Sequence, residues 1–194
     1  MAVTHDDRMD TTTHTPLAFP HHRRGFSLVE SMTVLAVLAV LAGVSVPNLR
    51  DMQANQRMRS AGLSLVGSLQ QARMRAVSQA TQVILCPSLD GQRCSGGLDW
   101  QHGWLTWDDR NRNRQLDPGE TITHTHGPLP AGVLGRATIG RPQMVYREDG
   151  SAFGNPITIT LCDDRGWRHG RAVIVNQGGR TRTGPAAADR CPSS

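Results

Sequence analysis

Apolar side chains run almost without a break from Phe26 to Val46, a stretch of 21 residues in which Glu30 is the only charge. As a helix this stretch is long enough to cross the hydrocarbon layer of a membrane, and the pattern predicts a single crossing over 26–46. Arg23 and Arg24 stand just before it. The positive-inside tendency therefore leaves the short N-terminal part in the cytoplasm and sends everything beyond the crossing to the far side of the membrane. A secretory signal would have a shorter apolar core closed by small residues at a cleavage site, whereas this run flows through Pro47 into a further helical pattern. Pro47 has no amide proton to donate and is expected to bend the helix rather than end it.

Beyond Pro47, Met58, Ala61, Leu65, Leu69, Ala72 and Ala76 recur at three- and four-residue steps, with Arg57, Ser60, Ser64, Gln71 and Arg75 between them. That spacing predicts an amphipathic helix over 47–80, one face against a core and the arginines, Arg73 and Arg75 included, on a solvated face. The pattern then changes to short apolar or alternating runs divided by Gly, Pro and Asn, at 81–86, 103–107, 143–147, 157–162 and 171–176. Runs of this kind read as strands. A long helix followed by several strands predicts an α+β fold in which an antiparallel sheet packs on the second half of the helix, with 81–194 as the β-rich globular part. Trp100, Trp104 and Trp107 are expected in the core and rim of that packing.

Charge adds a direction. All 21 basic side chains are arginine, set against 16 acids for a net charge of +5. Residues 1–25 are neutral, since Arg8, Arg23 and Arg24 offset Asp6, Asp7 and Asp10, so the excess belongs to the remainder. Arginine forks suit bidentate phosphate contacts, although a GC-rich genome yields the same bias. A basic exported domain is open to two readings, an anionic partner or simple solubility. The four cysteines, Cys86, Cys94, Cys162 and Cys191, all lie beyond the apolar run. In an oxidising compartment an even number predicts two disulfides, with three connectivities open. The short loop CPSLDGQRC, with its Pro and Asp-Gly turn signal, favours Cys86 with Cys94 and leaves Cys162 to fasten the tail at Cys191. A zinc site is the alternative, without the usual ligand spacing.

The stretch RRGFSLVE, residues 23–30, followed by SMTVLAVLAVLAGVSVPNLR, resembles the N-terminus of type IV pilins and type II secretion pseudopilins. The resemblance implies that a prepilin peptidase cuts between Gly25 and Phe26, removing 1–25 as a leader and methylating the new terminal Phe26. It also accounts for the acid. Glu30 is the fifth residue of the mature chain, where its carboxylate can pair with the terminal amine of a neighbouring pilin as helices pack side by side. An unpaired carboxylate costs ~2.5–3.5 kcal/mol near the bilayer centre and less towards the interface, so a mate in the filament favours assembly over remaining in inner-membrane lipid. The leader is longer and more acidic than the short basic leaders common in such proteins; a start at Met9 would shorten it without changing the mature chain.

Further along, VILCPSLDGQRCSGGLDWQHGWLTWDD and the later ITLCDDRG and RAVIVNQGGRTR resemble the FimT/GspH group of minor pseudopilins, on its FimT side. That implies a type IV pilin-like fold and assembly with other major and minor pilins. FimT-type members from naturally competent bacteria bind DNA through a C-terminal Gly-Arg-x-Arg motif, matched here by Gly179, Arg180, Thr181 and Arg182. If this segment is extended, both guanidiniums fall on one face while Thr181 points away, and Gly178 with Gly179 lets the chain turn to present them. Arg165, Arg168 and Arg171 lie close in sequence, and from Cys162 onward six arginines oppose three aspartates. Such groups hold the phosphate backbone of double-stranded DNA without reading bases, so binding is expected to tolerate sequence and fall steeply with salt. The alternatives are an exposed polar edge strand whose charge blocks unwanted pairing, and a GspH-like structural pseudopilin of a secretion machine that binds no nucleic acid.

Other chemistry is thinner. Asp109, Asn111, Asn113, Asp117 and Glu120 align with the ligand positions of a calcium loop, but Arg114 stands where that loop requires Gly and Arg110 and Arg112 add repulsion, so a polar hairpin loop is expected and no metal. His124 and His126 alternate as strand neighbours and are expected at the surface. With neither a phosphate-binding loop nor a nucleophile paired with a base, a non-enzyme without cofactors is expected.

Overall fold

The computed structural model describes residues 25–188, 190 and 191, apart from the side chains of 44–48. The predicted leader up to Arg24, the Pro47 side chain and the side chains that close the apolar run at 44–46 lie outside the described residues. The helical patterns on either side of Pro47 form one element, α1 (Leu28–Gln79), of 52 residues. The chain divides into compact units between Val44 and Ser45. In the first unit every described residue from Gly25 to Gly43 is exposed. Among the described residues no helix is long and apolar enough to cross a membrane; the described side chains of the apolar run stop at Gly43.

In the second unit α1 buries Ala54, Met58, Ala61, Leu65, Leu69, Ala72 and Ala76, the single stripe that helical periodicity demands. The helix ends where Ala80 turns to a left-handed φ of 48° and the Thr81 amide reaches back to the Ala76 carbonyl at 3.2 Å, a Schellman-type cap with alanine in the place glycine usually takes.

Eight strands follow: β1 (Gln82–Pro87), β2 (Trp104–Asp109), β3 (Ile122–His126), β4 (Leu134–Ala137), β5 (Met144–Tyr146), β6 (Ile157–Cys162), β7 (Arg171–Val175) and β8 (Thr181–Pro185). They form two antiparallel sheets, in the orders β3-β2-β1-β5 and β4-β6-β7-β8. The single sheet expected from sequence is thus corrected to two. The buried stripe from Ala54 to Ala76 runs ~33 Å at 1.5 Å per residue, whereas four strands span only ~19 Å, which leaves room for two. The inner faces, Val83, Leu85, Trp104, Met144 and Tyr146 from the first sheet with Ile157, Ile159, Leu161, Val173 and Val175 from the second, close one core on the helix. Trp100, Trp104 and Trp107 are all fully buried, so none is at a rim.

The outer faces differ. On the first sheet Ile84, Cys86, Leu105, Trp107 and Val145 make a second apolar cluster, covered by Cys94 and Leu116 from two loops. The Cys86–Cys94 disulfide holds one of those loops, and Cys162–Cys191 pins the C-terminal tail to the second sheet. On the second sheet alternation turns Arg136, Thr158, Thr160, Ala172, Ile174, Arg182 and Gly184 away from the core.

Candidate nucleic-acid interface

The Gly-Arg-Thr-Arg segment forms the turn and returning strand of the β7–β8 hairpin. Val175 pairs with Thr181 and Ile174 with Arg182. Val175 belongs to the core, so Thr181 faces inward and Arg180 and Arg182 face outward, both exposed. Thr181 lies beside the Tyr146 hydroxyl, whose pKa burial pushes up to about 12. The hairpin turn is tight: Gly179 has φ 75°, and the Arg180 amide donates to Asn176 Oδ1 at 3.0 Å. A side chain at 179 would collide with the carbonyl oxygen of Gly150, so only glycine fits.

The turn is held from beneath by α1. Arg73 donates through Nε to the Gly150 carbonyl at 2.9 Å and through Nη2 to the Gly178 carbonyl at 3.3 Å. Two steps along, Arg75 grips Asp108 on β2 with both ends of its fork, at 2.6 and 2.7 Å, and this bond to Asp108 raises the Arg75 pKa. The sequence expectation that Arg73 and Arg75 are solvated is therefore corrected: both are half-buried struts. Arg73 sits four residues after Leu69 and one after Ala72, inside the stripe that helical spacing assigns to the core. That position was the available signal for an arginine engaged with the fold.

The other predicted arginines separate. Arg165 is committed to structure, bonded to Asp163 at 2.7 Å and to Asn55 on α1 at 3.0 Å, with 16% of its side chain exposed. Asp163 is the main cause of its raised pKa. This arrangement corrects the grouping of Arg165 with the phosphate-binding set. Arg168 and Arg171 are exposed, but they line a groove of about 440 Å³ with Asn55, Met58, His169 and Thr183. Arg171 pairs with Leu161 and Pro185, at the strand ends opposite the hairpin turn. Elsewhere Arg93 pairs with Asp90 and Arg112 with Glu148.

The calcium-like loop between β2 and β3 is closed on itself. Asp109 accepts the Arg114 amide, Asp117 accepts both Asn111 and Asn113 side-chain amides, and Glu120 accepts the amides of Arg110 and Asp117. Its arginines take the left-handed turns that glycine would favour, Arg112 at φ 61° and Arg114 at φ 62°. Among the described residues no group of three or more His, Cys, Asp or Glu side chains is arranged to hold a metal. His126 is half-buried, not at the surface as expected: its ring stacks on Trp104 at 4.0 Å. In the other loop the Gln92 and Arg93 amides hold the Asp90 carboxyl down at about 2.

At the opposite end of the chain Gly25 and Phe26 precede α1, and Glu30 lies exposed in its first turn. Residues 20–46 match the prokaryotic N-terminal methylation motif. Residues 61–179 match the family described as type II transport protein GspH. The chain belongs to the GspH family. It is 30% identical to the pilin-like protein PilA1 of Thermus thermophilus over 82% of this chain and 97% of that one. It is 27% identical to type II secretion system protein H of Xanthomonas campestris pv. campestris over 88% of this chain and 93% of that one. The type IV minor pilin FimU of Pseudomonas aeruginosa shares the fold, with a TM-score of 0.50 at 20% identity over 70% of this chain and 98% of that one. This GspH-family chain is a minor pilin or pseudopilin, of a type IV pilus or of a type II secretion system. Its methylation motif implies processing by prepilin peptidase and assembly with other pilins, as a membrane-anchored component.

Proposed function

We propose that this chain is a minor pilin of a type IV pilus that binds double-stranded DNA along the phosphate backbone during uptake in natural transformation. The observation that carries this reading is the β7–β8 hairpin, where Arg180 and Arg182 face outward together on a turn fixed by Gly179 and Arg73. Paired guanidiniums of this kind bind phosphate by charge-assisted forks and carry no sequence information. Arg168 and Arg171 offer a second, separate basic site at the far strand ends. Before assembly, the chain is held in the inner membrane by 26–46 with its N-terminus in the cytoplasm; cleavage after Gly25 frees the Phe26 amine, and Glu30 pairs with that of a neighbouring subunit.

The test is gel-shift binding of duplex DNA by the full chain in neutral detergent. Arg180→Ala with Arg182→Ala is expected to reduce binding by at least tenfold, since a hydrogen bond to a charged group contributes about 1.5–3 kcal/mol; parent-like binding by the double variant refutes the site. The secretion relative supports a second reading, a structural pseudopilin without DNA binding. A deletion strain separates the two: loss of transformation supports the first, and loss of protein secretion with transformation intact supports the second.

A further inference from the structure

Resting on the DNA-binding reading above, we propose that the interface is the whole outer face of the second sheet, with Arg136 on β4 as its far anchor for a second phosphate strand. The cross-strand register places the residues. Arg136 pairs with Thr160, Thr160 with Ala172, and Ala172 with Gly184, so the four form one row across the sheet. Their neighbours Ala137, Ile159, Leu161 and Val173 lie in the core, and strand alternation therefore turns the whole row outward. Arg136 is exposed at one end. At the other, Arg182 leans along β8 until its Nη1 lies 3.9 Å from where a Cβ on Gly184 would stand. One exposed guanidinium thus stands at each end of a row whose interior is a threonine and an alanine, both buried, and a half-buried glycine.

Three inter-strand steps separate β4 from β8, ~14 Å. The DNA major groove is ~12 Å wide, so the two arginines match the backbones flanking a groove. Thr160 and Ala172 are themselves buried, at 3% and 4% exposure, so a duplex meets the exposed arginines at the two ends rather than the middle of the row. Arg190, carried on the tail that Cys191 pins, lines two depressions beside Arg136 and Thr160, of about 180 and 280 Å³. Asp99 bridges to Arg136 across the sheet edge and lines the smaller depression, an acid at the margin of the face. Helix α1 packs on the opposite side of this sheet, where Gly62 approaches Leu161.

The test compares single variants of the full chain in neutral detergent, by duplex affinity across a salt series. Arg136→Ala is expected to weaken binding about tenfold and to lower the salt slope by about one, with Arg136→Lys recovering part of the loss. Arg59→Ala, an equal charge change on an exposed α1 position, is the control and is expected to leave affinity within twofold. If Arg136→Ala binds like the parent while the Arg180 and Arg182 pair is still needed, the extended face is wrong and the hairpin site stands. If Arg136→Ala and Arg59→Ala weaken binding equally, net charge alone acts and the face is again wrong. If the parent shows no salt-dependent binding, the DNA reading itself falls. Thermal melting of each variant separates loss of contact from loss of fold.

Discussion

The two sheets share one core yet finish their outer faces differently. On the first, Trp107, Ile84 and Leu105 are fully buried under a disulfide loop and a polar loop that contributes Leu116. On the second, Thr160 and Ala172 are buried as well, at 3% and 4% exposure, but arginines at both ends of the row, Arg136 and Arg182, are exposed. A sheet in water needs one face buried, and covering the second face requires extra chain. The first face is covered by two loops and is structural; the second is covered in part by the tail that Cys191 pins, and its exposed remainder carries arginines that an anion can reach.

The largest test of this contrast lies on the covered face. Trp107→Ala should cost ~3–5 kcal/mol in chemical denaturation, while Thr158→Ala on the open face should stay within ~0.5 kcal/mol; comparable costs would erase the distinction. Arg75→Ala leaves the Asp108 carboxylate, 5% exposed, without its fork. Loss of one partner of a buried pair costs ~3–5 kcal/mol, and because Arg75 is itself 36% exposed a discounted ~2 kcal/mol is expected.

Tyr146, at the seam between β5 and β8, gives a pH test. Its pKa is pushed from 10.0 up to about 12 by burial, so the folded state holds the proton more tightly than the unfolded one. The stabilisation, ~2–3 kcal/mol by linkage, is complete below pH 10 and disappears as pH rises towards 12. Tyr146 is the single tyrosine in the chain, so tyrosinate absorbance reports it alone, and Tyr146→Phe should flatten the alkaline loss. Gly179→Ala should cost more than the ~1–3 kcal/mol of the left-handed conformation alone, because its Cβ also meets the Gly150 carbonyl oxygen, and DNA affinity should fall with it because the turn presenting Arg180 and Arg182 is displaced.

Strong periodicity made much of this legible in advance. The α1 stripe, its end at Gln79 and the apolar strands β1, β2, β6 and β7 all follow from alternation or helical spacing. Strands β3, β4 and β8 read ITHTH, LGRA and TRTGP. They hold too few apolar residues to announce themselves, and without them the second sheet was invisible. The site shows the same division. Arg180 and Arg182 were legible as a motif, whereas Arg136 stands 44 residues before Arg180 in no local pattern. It belongs to the same face only through cross-strand register. The departure of Arg165 required knowing that Asp163 and Asn55 converge on it.

The most direct measurement of the central claim is the slope of log affinity against log salt for duplex DNA, comparing the parent with the Arg136→Ala, Arg180→Ala, Arg182→Ala triple variant. Each lost phosphate contact should lower the slope by ~0.9. The account predicts a fall of about three with the fold retained; an unchanged slope would contradict it.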